Sequence, residues 1–317
     1  MRRHAESYVN TRTIKEPSRR HHYTPQFYLR QWASGSDRCV WQYTRQTSGS
    51  IKEKRVAPKA TGFREDLYTV ERVGISLPAD QPDIIEKTVM SRVDNDAANV
   101  LNKLRSGSVA SLTKGDRKAW ALFLNSLLER TPDKLARNDE IARELATKVI
   151  EDAYSKFATT PISRERIDRA LRNFDPTAAA RNTVRAAMVK EIVADDFIAY
   201  VTNQSWCVIG APNGFEFITS DHPLIVNFGD VEQRPIHWMS IALSPTELFV
   251  AVPSSSPNTT PLEDIVLAHT FALLTGPSRF VYARAPVVDG ICVGSRTVNV
   301  RTCIENTLGR VPIPRKS

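Results

Sequence analysis

Three textures succeed one another along the chain. Up to about residue 80, short runs of β-branched and aromatic residues lie between turn residues. The stretch 38–44 (Arg-Cys-Val-Trp-Gln-Tyr-Thr) reads as a strand, Ser48-Gly49-Ser50 as a turn and 51–56 as the returning arm of a hairpin. A third short strand is expected over 66–71, followed by a loop from Gly74 to Pro82. From Asp83 the apolar period becomes helical. Ile85, Val89, Val93, Ala97, Val100 and Leu104 form one stripe that Gly107 ends. Thr113 with Asp116 resembles a capping box, and the helix it opens carries Trp120, Phe123, Leu124, Leu127 and Leu128 up to Thr131-Pro132. Another helix is expected from Asp133 to about Phe157. Ser163 and Asp175-Pro176 mark two further starts, the second helix continuing to near Tyr200. Beyond Ser205 the strand texture returns at 206–210, 215–219, 238–243 and 248–252. A helix opens at Thr260-Pro261 and runs through Leu274, and 280–283 is a last strand. Strands, helices and strands again predict an α+β fold, with a sheet built from N- and C-terminal strands packed against a helical middle at about 83–200. The expected organisation is a flexible basic arm at 1–18 and one domain over 19–317.

Charge sharpens this picture at the ends. The chain of 317 residues carries a formal charge of +8. Residues 1–60 hold 13 Lys and Arg against 4 Asp and Glu, and 301–317 hold 4 against 1, so the body between them is mildly acidic. Basic ends suit a polyanion, because each phosphate neutralised releases counterions. They also serve solubility. No run of about 18 apolar residues suggests a membrane span, and no secretory signal is read at the start. Cys39, Cys207, Cys292 and Cys303 are far apart, which excludes zinc-ribbon clusters and favours reduced thiols in a cytoplasm.

Candidate chemistry gathers in a few stretches. The densest is His21-His22-Tyr23-Thr24-Pro25-Gln26-Phe27-Tyr28-Leu29-Arg30. Pro25 pushes Thr24 into an extended conformation and opens a helical turn, on which Gln26 and Arg30 share a face. A plainer reading makes this stretch a buried anchor with hydrogen-bonded core histidines. Glu86 and Asp94 lie about two turns apart on the long helix, on roughly the same face. Arg130 closes the next helix, where it could equally cap carbonyls. Ser220, Asp221 and His222 precede Pro223 in a turn that side chains alone could cap.

These same stretches resemble a large, mostly bacterial family catalogued as domain of unknown function 4238. His22-Tyr23-Thr24-Pro25-Gln26-Phe27-Tyr28-Leu29-Arg30-Gln31-Trp32 is similar to its HYxPQxxLRxF opening, with Trp for the usual Phe. Glu65-Asp66-Leu67-Tyr68, Ile85-Glu86, Arg130-Thr131-Pro132 and Phe217-Ile218-Thr219-Ser220-Asp221-His222-Pro223 follow in the family's order, and Asp94 stands where a second Glu is common. The resemblance covers about residues 21–285. It implies no established activity.

The chain has no G-x-S-x-G elbow, no GxxxxGK[ST] loop, no GxGxxG after a strand and no HExxH. Phosphodiester chemistry fits what remains. His22 could move a proton with Asp221 orienting its imidazole, and arginines could stabilise a pentavalent phosphate. The expected catalytic set is His22, Gln26, Arg30, Glu86, Arg130, Ser220, Asp221 and His222, with Arg19, Arg20 and His21 contacting nucleic acid. A divalent metal on His22, Glu86 and Asp221 is compatible, although no local spacing vouches for it. The leading expectation is a ribonuclease-like phosphodiesterase, a toxin or defence effector for example. A non-catalytic module binding nucleic acid or protein, and a hydrolase of small nucleotides, are the alternatives.

Overall fold

The computed structural model describes residues 18–45, 50–74, 82–212, 215–228, 236–254, 262–286, 291–293 and 296–298. The arm expected at 1–18 lies outside these residues apart from Ser18, as does the helix start at Thr260-Pro261.

Strand β1 (Arg20–His22) pairs antiparallel with β4 (Phe63–Glu65). Between them run the short helix α1 (Gln26–Leu29) and the hairpin β2 (Val40–Arg45) and β3 (Ile51–Val56). The helical middle consists of α2 (Ser91–Ser106), α3 (Lys114–Glu129), α4 (Pro132–Phe157), α5 (Pro161–Asn173), α6 (Pro176–Ile192) and α7 (Asp195–Thr202). The C-terminal part adds β5 (Ser205–Gly210), β6 (Thr219–Ser220), β7 (Ile225–Phe228), β8 (Ile236–Ser244), β9 (Glu247–Val252), helix α8 (Leu262–Thr275), β10 (Phe280–Ala283) and the hairpin β11 (Ile291–Val293) and β12 (Arg296–Val298). The fold is α+β.

Two four-stranded sheets carry it where one was expected. The order β3-β2-β10-β6 interleaves strands from both ends of the chain, with Tyr43 opposite Val281 and Val281 opposite Ser220. The second sheet, β5-β9-β8-β7, is wholly C-terminal. Helix α3 lies on it through Trp120, whose ring meets Phe249 edge-on, while Trp206 packs on the same Phe249. These rings belong to one core with Tyr28, Trp32, Val100, Leu104 and Val201, so α1, α2 and α7 share it. A smaller core of Tyr23, Tyr68, Ile85, Met90, Leu135, Met188 and Ile192 sits beneath the first motif.

Side-chain caps open α3, α4, α5 and α6. Thr113 and Asp116 make both bonds of the capping box, and Thr131 caps α4 with Pro132 in its first turn. The helix expected to open at Ser163 starts earlier, because Thr160 is its cap and Pro161 occupies its first turn. The one expected to continue to Tyr200 breaks at Val193, where Asn125 Nδ2 takes the carbonyls of Glu191 and Ile192. The long helix begins with a π-helical turn, Ile85–Met90, in which the Glu86 carbonyl accepts from both the hydroxyl and the backbone N–H of Ser91. Such widened turns recur at functional sites.

Candidate functional site

Gly62 fixes the entrance to the first motif. Its carbonyl accepts from the N–H groups of both Tyr23 and Thr24 at 3.0 Å. Its φ of +63° lies in the left-handed region, and a Cβ there would stand 2.8 Å from Thr24 Cβ. The close pairing of these backbones aims His22 and Tyr23 into the molecule.

His22 is half-buried, and its Nε2 is buried without a hydrogen-bond partner. Gln26 Nε2 stands 3.5 Å from its Nδ1, too far for a strong bond. Burial lowers the imidazole to about 4, against a raising contact with the Lys59 backbone, and Arg20 and Arg130 depress it further. The His22 backbone donates in turn to the Glu86 carboxyl. Burial, then the neighbouring Asp94, pushes Glu86 up to about 7, although Arg130 pulls the other way. One of its oxygens is also buried and unpartnered.

Arg130, paired with Asp94 and felt electrostatically by Glu86, is fully buried. Its Nη1 donates to Asp94 at 2.8 Å, whereas Nε and Nη2 are buried without partners. Burial raises Asp94, and Arg130 offsets part of that rise. The Tyr68 hydroxyl donates to the Arg130 carbonyl at 3.0 Å. A buried guanidinium with two unpartnered donor groups costs stability, and here its Cζ lies 5.6 Å over the centre of the Phe123 ring.

A second polar group adjoins this one through Tyr23. Burial holds its phenol proton tightly, and the nearby Asp221 strengthens the hold. Asp221 Oδ1 accepts from the N–H groups of Arg279 and Phe280 at 3.0 and 3.2 Å, and His222 Nδ1 lies 3.5 Å away. Burial lowers the His222 imidazole, but Asp221 and then Asp133 outweigh it and the net effect is a rise.

The expected residues thus fall into groups. His22, Glu86 and Arg130 come together, joined by Asp94. Gln26 and Arg30 stand outside them at the mouth of a surface cleft. Asp221 does not orient His22: among the described residues the two share no hydrogen bond, and Asp221 tethers β10 instead. The buried Ser220 accepts from the His222 N–H at 3.1 Å, which is the side-chain-capped turn. His22, Glu86 and Asp221 do not assemble as a metal-ligand set among the described residues. Of the three residues expected to touch nucleic acid, His21 needs correction. His21 is fully buried, with Nε2 on the Ser18 carbonyl and Nδ1 accepting from Tyr68 N–H, so it anchors β1. Arg19 is held by Asp66 at 2.7 Å and by Glu65, while Arg20 stays exposed and stacks over Phe63.

A family described as protein of unknown function (DUF4238) matches residues 20–266. The chain belongs to that family. No curated protein and no solved structure matches it. The DUF4238 segments recognised in the sequence are those that meet here: the first motif supplies His22 and Tyr23, the acidic-aromatic segment Tyr68, the long helix Glu86 and Asp94, and the helix end Arg130. Tyr23 and Tyr68 were not singled out, because an aromatic residue beside an apolar run reads as core. The bond of the Tyr68 hydroxyl to the Arg130 carbonyl and the influence of Asp221 on Tyr23 show only in three dimensions. Among the described residues no helix is long and apolar enough to cross a membrane.

Proposed function

We propose that this protein is a ribonuclease-like phosphodiesterase whose working groups are His22, Glu86 and Arg130. One observation carries the reading: a buried arginine with two unpartnered donor groups lies beside an acid and an imidazole shifted in opposite directions, to about 7 and about 4. Between those values the imidazole is neutral and the carboxyl keeps its proton, so base and acid are both ready. His22 Nε2 takes the proton of the ribose 2′-hydroxyl as that oxygen bonds to phosphorus. The bond from phosphorus to the 5′-oxygen breaks, and Glu86 gives its proton to that leaving oxygen. The products are a 2′,3′-cyclic phosphate and a free 5′-hydroxyl. Base action at Nε2 requires the tautomer with its proton on Nδ1. The free Nε and Nη2 of Arg130 receive the charge that gathers on the phosphorane. An anionic phosphate entering beside His22 raises its proton affinity, which improves it as a base.

Purified wild type, His22→Ala and Arg130→Lys proteins incubated with mixed RNA test this. His22→Ala should lower cleavage by about two to four orders of magnitude. Arg130→Lys should lower it by about two, because an ammonium cannot reproduce the guanidinium fork. Both variants must retain cooperative unfolding for the comparison to count. Equal cleavage by all three would mean contamination. A folded wild type that binds RNA but never cuts it would make this a binding module.

A further inference from the structure

Gln26 joins the buried cluster to an open cleft of about 550 Å³, within the size range of ligand sites. Its amide nitrogen faces His22, and its amide oxygen meets Arg30 Nη2 at 3.5 Å. Lys59 makes the same connection from the other wall, since its backbone contacts the His22 ring while its exposed side chain lines the cleft. Arg30, Arg38 and Lys59 therefore stand around one opening, all exposed, and none pairs with a carboxylate among the described residues. The acid among them, Asp37, is already spent. Arg55 Nε donates to it at 3.0 Å, and that bond leads the effects that pull its carboxyl down to about 2. The loop that presents these groups is tightly wound, with Gly35 at φ +72° and Arg38 at φ +50°. A Cβ at Gly35 would crowd both Arg55 and Asp37 at 3.1 Å, so glycine lets that pair close and leaves Arg38 facing out.

We propose that this cleft binds the phosphate next to the one being cut. The substrate is then a single-stranded oligonucleotide spanning at least two phosphates, not a mononucleotide or a one-phosphate dinucleotide. This rests on the phosphodiesterase reading above. Three uncompensated cations beside a site built around one anion make a second anion subsite, and a backbone with repeated phosphates is the ligand that fills both at once. A duplex holds its backbone too far from the half-buried His22 and the buried Arg130 to serve, whereas a single strand can be splayed into them. Lys59 at the border between the two places spaces the phosphates along one continuous path.

The test uses the full chain, a labelled 2′-deoxy hexanucleotide that lacks the attacking hydroxyl, and a dinucleoside monophosphate. The variant is Arg38→Asn with Lys59→Gln, asparagine being the replacement that tolerates a positive φ. Wild type should prefer the hexanucleotide, and the double variant should cut that preference about tenfold. Two lost phosphate contacts should also flatten the dependence of log affinity on log salt by about 1.4, at about 0.7 per contact for a single strand. An unchanged preference with an unchanged salt slope overturns the cleft assignment. If RNA cleavage also persists in that variant, the catalytic reading stands alone. Hexanucleotide binding that falls in the variant, with no RNA cleavage by wild type, keeps the cleft and removes the catalytic reading. A folded wild type that binds neither probe overturns both.

Discussion

A carboxyl held protonated and an imidazole held neutral answer pH in opposite senses, and Glu86 and His22 are such a pair. For turnover this predicts a bell. The rate should fall above about 7 as Glu86 ionises and below about 4 as His22 takes a proton. Glu86→Gln should be slower throughout and lose the alkaline fall, and a rate still rising through pH 8 in the wild type would refute the assignment. Stability follows by linkage. The raised carboxyl binds its proton more tightly in the folded chain, so its stabilisation is complete below its ordinary 4.5 and lost as pH rises through about 7. The depressed imidazole stabilises fully above its ordinary 6.5 and loses that as pH falls through about 4. The two slopes oppose each other between 4.5 and 6.5. Glu86→Gln should therefore unmask stability that increases from pH 4.5 to 6.5, and His22→Ala stability that decreases over the same range. Urea midpoints at pH 5 and 6.5 distinguish these, and identical slopes in both variants would show that neither group is perturbed as described.

Where the backbone spends its hydrogen bonds decides which elements form. Gly62 is the sharpest case. Gly62→Ala meets both a left-handed φ and Thr24, and should destabilise by more than about 1 kcal/mol. It should also depress turnover by tilting His22. A variant as stable and active as wild type would mean that the turn relaxes freely. The caps at Thr113 and Asp175 could be read from sequence, because Thr and Asp before a helical period act locally, whereas Thr131 read as the end of the preceding helix and proves to cap the next. The strand expected over 66–71 could not. Asp66 adopts a positive φ, Thr69 N–H turns back to its carbonyl, and Tyr68 N–H is taken by His21. Likewise, of the strand expected over 215–219 only Thr219 joins a ladder. The Phe217 carbonyl accepts from Trp32 Nε1 and its N–H goes to Pro245. His21, Trp32 and Pro245 lie far away in the chain from the groups they bond, beyond any local pattern. His22, Glu86 and Arg130 could be chosen from sequence because they sit in recognisable motifs. Their convergence could not, nor could the burial of His21.

At the scale of the molecule, the sheet β3-β2-β10-β6 makes the two ends of the chain depend on each other. Residues 205–317 expressed alone should lack the partners of β10 on its β2 side and the aromatic cover of Trp120 on Phe249. That fragment should unfold without cooperativity in urea, and a sharp, reversible transition would contradict the interleaved core. The same pairing has a bearing on synthesis. Positions 43 and 281 must find each other across nearly the whole chain, and contacts of such long range close late. While the ribosome is still extending the polypeptide, β2 has no β10 to receive it. The Asp221 turn, which borrows its amide partners from Arg279 and Phe280, stays unanchored for as long. Until residues 279–283 have been made, a nascent chain of this kind holds the N-terminal hairpin and the Asp221 turn with one side of each unpaired.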